Sequence, residues 1–183
     1  MNTSMLVLPV AIPLVLGLLT FLLPRRRAGW IVSVVAVIAS AAELAVAIVL
    51  FPVDQAVTLP WLGFGIDLSL RVTRMSAFIL LAIAGFSLLV SLYAAASLAG
   101  KDNARRFNAW MLITVAMASG AVLADNLVLL LVFWEGLLVT MFAMIGGNGP
   151  RSYHTAIKAV VIVGVTDLAM MLGVIFTGTV AGT

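Results

Sequence analysis

The chain has 183 residues, of which 64% are hydrophobic and only 9% charged, with a mean hydropathy of +1.26; a soluble domain carries roughly 25% charged residues, so an ordinary water-soluble fold is excluded. Ten Lys and Arg against seven Asp and Glu leave a net charge of +3, too few charges to form a nucleic-acid surface despite the basic balance. With no cysteine and one histidine, a disulfide framework, a thiolate metal site, a cysteine nucleophile and a multi-histidine metal site are excluded as well.

A helix crossing the ~30 Å hydrocarbon core needs about 20 mostly apolar residues. Backbone groups in lipid must be satisfied within their own segment, so long apolar runs predict helices. The first run, 4–23, leads into Arg25, Arg26 and Arg27. No basic stretch precedes it, as a cleaved signal peptide would require. The second run, 28–51, contains Glu43 within Ser40-Ala41-Ala42-Glu43, small residues that allow close helix approach. The connection from Pro52 to Arg74 is long, and Ile66 to Thr73 alternate apolar and polar, which predicts a half-buried strand. Gly63 and Gly65 are placed to turn the chain back to a partner strand through Trp61.

The third run, 75–98, is followed by Lys101, Arg105 and Arg106. Runs 107–124 and 126–145 are separated by Asp125-Asn126, residue types suited to a helix cap and tight turn. After Gly146, Gly147, Asn148 and Gly149, Pro150 suits the first turn of a helix, whose apolar run is 155–177. The predicted fold is an all-α polytopic membrane protein, a single membrane domain over 1–183 with six transmembrane helices and a small extracytoplasmic β-hairpin. Alternate connections hold Arg25, Arg26, Arg27, Lys101, Arg105, Arg106 and Arg151, whereas the opposite ones hold only Arg71 and Arg74. The excess of positive charge on cytoplasmic loops then predicts an N-terminus on the outside.

Four ionisable residues fall inside the runs: Glu43, Glu135, Lys158 and Asp167. Such groups are costly in lipid and usually mark ion paths. Glu135 sits near mid-membrane among Leu131, Val132, Trp134, Leu137, Leu138 and Val139. It is suited to take and release a proton; the plainer reading is a packing hydrogen bond to a neighbouring helix. Lys158 either turns inward as a partner for Glu135 or snorkels to the cytoplasmic face. Asp167 lies nine residues beyond Lys158, half a turn off, so the two face opposite sides of one helix and Asp167 needs another neighbour. Glu43 is read evenly as an interface carboxyl bonded to a neighbouring subunit or as a functional one. His154, at the mouth of the sixth run, is a possible proton entry, though a lone surface histidine is more often inert.

Ala124-Asp125-Asn126-Leu127-Val128-Leu129, then Phe133-Trp134-Glu135-Gly136-Leu137, then Ala156-Ile157-Lys158-Ala159 with Asp167 downstream resemble the antiporter-like subunits. That family is shared by respiratory complex I, group 4 membrane hydrogenases and Mrp-type cation antiporters. Leu70-Arg71-Val72-Thr73-Arg74-Met75-Ser76-Ala77 is similar to the stretch before the family's third helix, and Ser91-Leu92-Tyr93 to the end of that helix. The resemblance implies that Glu135 belongs to a half-channel and that Lys158 and Asp167 accompany it in H⁺ or Na⁺ translocation. It implies no cofactor in this chain, with redox cofactors in partner subunits. The family usually has an acidic residue where Thr73 stands. Full members have about fourteen helices, including two inverted repeats, so the sequence resembles an N-terminal portion. A separate chain is expected to supply the remaining helices, unless this is a reduced paralogue.

The expected function is therefore an ion-translocating membrane subunit of a redox-driven complex I-like or membrane-bound hydrogenase-like assembly, with no catalytic centre of its own. The alternative is a non-transporting scaffold subunit of the same kind of complex. Truncation favours the scaffold; the presence of Glu135, Lys158 and Asp167 together favours transport. A free-standing channel lacks a polar stripe, and an intramembrane enzyme lacks a nucleophile–base pair or a metal set. The expected partners are other membrane subunits and the lipid bilayer, in a prokaryotic cytoplasmic membrane.

Overall fold

The computed structural model describes residues 3–23, 28–60, 67–98, 101, 103–146 and 150–181. The arginine run at 25–27, the expected turn residues Trp61, Gly63 and Gly65, and the glycine-rich stretch 147–149 lie outside the described residues. A short 3-10 helix, Thr3–Leu6, leads into α1 (Leu8–Leu22) and α2 (Ala28–Leu50). Strands β1 (Gln55–Pro60) and β2 (Asp67–Val72) follow, then α3 (Arg74–Ser97), α4 (Ala104–Leu123), α5 (Leu127–Gly146) and α6 (Pro150–Ala181). The protein is thus an all-helical integral membrane protein with one small hairpin.

Five of the helices, α2 to α6, are long and apolar enough to cross a membrane. The first predicted span comes out shorter: α1 has 15 residues, about 22 Å of rise. The preceding 3-10 helix adds about 8 Å, so the two together reach roughly the thickness of the hydrocarbon core. Pro9 accounts for the late start. It stands at the beginning of α1, where its missing N–H costs no helical hydrogen bond. The sixth helix is longer than its apolar run, with 32 residues from Pro150.

α4 is the hub. It packs on α1, α2, α3 and α5, while α6 packs chiefly on α5. More than half of α4's span is buried, against 6% of α6's. Three described glycines, Gly17, Gly120 and Gly136, permit the tight contacts. A Cβ at Gly17 would meet the Ala109 carbonyl of α4 at 3.1 Å and Ile113 at 2.9 Å, and one at Gly120 would run into the Phe133 ring of α5. The main apolar cluster gathers Leu6, Leu50, Leu80, Leu123, Leu129 and Phe133 with Val57, Leu70 and Val72 of the hairpin.

The two strands pair antiparallel, with Gln55 opposite Val72 and Pro60 opposite Asp67. The predicted alternation holds: Leu70 and Val72 are buried while Asp67 and Arg71 are exposed. The hairpin is fastened to the α4–α5 connection. The Asp125 N–H donates to the Ser69 carbonyl at 2.9 Å, and the Asn126 side-chain amide donates to Ser69 Oγ at 2.7 Å and to the Asp67 carbonyl at 3.0 Å. Asn126 Oδ1 accepts the Leu129 N–H at 2.7 Å, which caps the first turn of α5 as its residue type predicts. Thr73, at the position where the resembled family is acidic, caps α3 through a reciprocal pair with Ser76.

At the opposite end, Arg105 donates to the Phe21 and Leu23 carbonyls at 2.8 and 3.0 Å, and Arg106 to the Ala143 carbonyl at 2.6 Å. These two arginines satisfy carbonyls left open at the ends of α1 and α5. The bundle therefore has a hairpin end and a basic end.

Candidate functional site

The titratable side chains inside the helices are held by different pairs of elements. Glu43 is fully buried, on the α2 face that meets α4. Its Oε1 accepts the Ser119 hydroxyl at 2.8 Å, and its Oε2 is buried with no hydrogen-bond partner. Of its two even readings, the interface one places its partner on a neighbouring subunit; the partner of Oε1 is a serine of the same chain. Small residues at Ala36, Ala39, Ser40 and Ala47 line the same α2 face and are fully buried, which lets α4 approach closely enough for Ser119 to reach the carboxylate.

Asp167, on α6, is 5% exposed. Its Oδ1 accepts the Trp134 indole N–H of α5 at 3.0 Å, and its Oδ2 is buried without a partner. The other neighbour it needed is therefore α5 of the same chain. Ala156 lies fully buried on the same side of α6, eleven residues earlier and so just over three whole turns away. This fixes the α5-facing side of α6.

Glu135 stands beside Trp134, about 12 Å along α5 from the hairpin end. It is half-buried, with a buried Oε1 that has no hydrogen-bond partner. α5 turns Leu129, Phe133 and Thr140 toward the bundle. Glu135 is about 200° around from Phe133 and looks away from α4. Lys158 is exposed, about 200° around α6 from Ala156 and so turned away from α5. Among the described residues no ion pair joins Glu135 and Lys158. α5 and α6 do pack side by side as expected, but the rotation of α6 commits its inward face to Asp167 and leaves Lys158 on the outward one. His154 is exposed near the basic end, its ring 6.4 Å from that of Tyr153.

The structure therefore brings Glu43 to α4 and Asp167 to the residue adjoining Glu135, and it does not bring Lys158 to Glu135. Two partners were missed in the sequence, Ser119 and Trp134. The indole was the better signalled, because a Trp inside an apolar run carries a donor that has to be satisfied. Chemically, three carboxylates each keep a buried oxygen without a partner. An ionised carboxylate is acceptor-only and needs donors or a cation, so each bare oxygen can be compensated by a water, a proton or a small cation.

An all-helical membrane subunit with carboxylates at depth is the class that this fold and these residues define. Residues 124–183 match the transmembrane family described as NADH:quinone oxidoreductase/Mrp antiporter, the stretch that holds Glu135, Lys158 and Asp167. A Staphylococcus aureus protein named as an antiporter subunit is 31% identical over 98% of this chain and 24% of its own length. NADH-quinone oxidoreductase subunit L of Mycobacterium tuberculosis is 31% identical over 66% of this chain and 19% of its own length. In structure, the chain is similar to the Mrp complex of a Dietzia species, with a TM-score of 0.83, 23% identity and 97% of this chain covered against 20% of the other. It is also similar to respiratory complex I of Thermus thermophilus, with a TM-score of 0.79, 25% identity and 97% of this chain covered against 36% of the other. Over residues 124–183 the chain thus carries the domain of that family, and the relatives it resembles are antiporter-like subunits of Mrp and complex I-type assemblies. It spans about an eighth to a quarter of the length of the curated relatives it matches.

Proposed function

We propose that the chain handles H⁺ or Na⁺ as a membrane subunit of a complex I-like or membrane-bound hydrogenase-like assembly, with the redox cofactors in other subunits. The observation that carries this reading is Glu135. It is a carboxylate about 12 Å inside an apolar helix, with a buried oxygen that none of the described residues satisfies. A residue kept only for packing would be expected to have its acceptors filled. Asp167 supports the site by tying α6 to the indole next to Glu135. Lys158, on the outward face of α6, supplies a cation to whatever packs there, a group contributed by another subunit or by a separate chain with the remaining helices. The basic end faces the cytoplasm in this reading, with His154 at the entry on that side.

The test is Glu135→Gln in the assembled complex. It keeps the size and hydrogen-bonding capacity of the side chain and removes its titration. The complex assembles and transfers electrons in detergent, while ion movement into proteoliposomes falls. A second reading, a scaffold that holds neighbouring subunits without transporting, is favoured by the apolar exposed face of α6, where Ile162, Leu172, Ile175 and Phe176 lie open. Under that reading Glu135→Gln moves ions at the wild-type rate.

A further inference from the structure

Glu43 sits in a different part of the bundle from Glu135, at the junction of α2, α3 and α4, and everything around it belongs to this chain. Two hydrogen-bonded pairs of oxygen-bearing side chains lie at this junction. Glu43 Oε1 accepts from Ser119 Oγ of α4 at 2.8 Å. Ser40, three residues before Glu43 on the same face of α2, pairs with Ser87 of α3 at 2.8 Å between hydroxyl oxygens. Residues three apart on a helix stand roughly 5–6 Å apart at Cβ, so the serine pair and the carboxylate adjoin. All four are buried: Glu43, Ser40 and Ser119 completely, and Ser87 at 4% exposure.

The second observation is the bare oxygen. Glu43 Oε2 is buried and has no hydrogen-bond partner, and among the described residues no cation pairs with this carboxylate. A buried acceptor-only group in this position is compensated by a proton or by a hard cation that takes oxygen ligands. Serine hydroxyls suit both, since each carries a donor and two acceptor lone pairs. The other buried polar side chains near it lie to one side. Toward the hairpin end the junction is closed by Leu50, Leu80, Leu123 and Val72, all buried and apolar. Toward the basic end a buried apolar cluster of Ala36, Ala39, Met111 and Leu112 is interspersed with the buried polar Ser33, Ser91 and Asn108, and Asn108 Oδ1 has no hydrogen-bond partner among the described residues.

We propose that Glu43, Ser40, Ser87 and Ser119 form a monovalent-cation site, for a proton or Na⁺, reached from the basic end and closed toward the hairpin end. It deepens the function proposed above by giving this chain a second ion site, one that needs no other subunit to complete it. Its failure is distinguishable from failure of the Glu135 reading, because each is read on its own side chain.

The test is infrared difference spectroscopy on the assembled complex in lipid, following the C=O stretch of protonated carboxyl groups. Na⁺ is exchanged for choline at fixed pH, and pH is then stepped at fixed Na⁺. The wild type loses a carboxyl band that Glu43→Gln lacks and Glu135→Gln retains. Loss on adding Na⁺ assigns Na⁺ as the ligand, and loss only on raising the pH assigns the proton. Ser40→Ala moves the Na⁺ concentration or the pH of half-loss by severalfold or by a comparable step, because it removes a ligand without removing the carboxyl. If Glu43→Gln does not assemble, Glu43→Asp makes the assignment by displacing the band. The proposal is overturned if the spectra of wild type and the Glu43 variants change identically in both exchanges, for Glu43 is then a fixed structural group.

Discussion

Trp134 is the one donor that Asp167 has among the described residues, and the energetics of the α5–α6 contact turn on it. The indole N–H lies 3.0 Å from Oδ1 and the other carboxylate oxygen is already bare. Trp134→Phe keeps an aromatic ring and removes the donor. It should cost about 1–3 kcal/mol, the range for leaving a buried acceptor unsatisfied. Asp167→Asn keeps an acceptor for the indole and should cost less. A double-mutant cycle in the assembled complex, read by thermal unfolding, checks the pairing. Trp134→Phe combined with Asp167→Leu should recover most of the single-mutant loss, and strict additivity would show that the contact contributes nothing. The sequence placed Asp167 half a turn from Lys158, and that geometry holds. Its partner was not legible, because i, i+9 spacing says which way a side chain faces and not what stands there.

Among the elements, the hairpin and the α4–α5 turn act as one unit, and Asn126 joins them. Its amide donates twice to β2 while its Oδ1 caps α5. Asn126→Asp keeps the cap and loses the donors, so the hairpin loosens while α5 stays capped. Asn126→Ala loses both, at about 0.5–2 kcal/mol for the cap alone. Hydrogen exchange separates the cases: the Asp125 amide should exchange faster in both variants, the Leu129 amide only in Asn126→Ala. Equal acceleration of both amides in Asn126→Asp would contradict the division of roles. A second element-level expectation concerns Gly120, whose added Cβ would enter the Phe133 ring. Gly120→Ala should destabilise by about 1–3 kcal/mol through overpacking. Adding Phe133→Leu should restore part of that loss, and no recovery would mean that the two helices do not meet through this contact.

The hairpin was legible in the sequence because alternation over β2 has only one explanation at that length. Helix ends were less so. Hydropathy marks where a chain is in lipid, not where its helix begins; the start of α6 was legible from Pro150 and not from its apolar run, which begins later. The 3-10 opening before α1 arises from Pro9, which an apolar count does not register.

For the whole molecule, the decisive features are orientation and incompleteness of the surface. α6 leaves Val161, Ile162, Val165, Leu168 and Phe176 exposed, and α3 leaves Phe78, Phe86 and Leu89 open. Patches of this kind mark lipid or protein contact. The absence of cysteine makes labelling clean. A cysteine at Lys101 should react with an impermeant reagent only from the cytoplasmic side, and one at Asp54 only from the outside. Reaction of both from one side would reverse or break the proposed topology. The resemblance to antiporter-like subunits was legible in the Trp134-Glu135 region, and the family match over 124–183 covers the same stretch. What the sequence could not convey was that Glu43 finds its partner on α4, since Ser119 is far away along the chain and was silent in hydropathy.

Whether this chain moves ions is tested most directly by measuring assembly and ΔpH formation on the same proteoliposome preparations of wild type, Glu135→Gln, Lys158→Ala and Lys158→Arg. The predicted result is normal assembly throughout, the greatest loss of ΔpH per assembled complex in Glu135→Gln, a smaller loss in Lys158→Ala, and the mildest in Lys158→Arg, which keeps the charge but alters its geometry. Wild-type ΔpH in Glu135→Gln, or losses that simply follow the amount of assembled complex, would contradict ion translocation through this site and leave the scaffold as the better account.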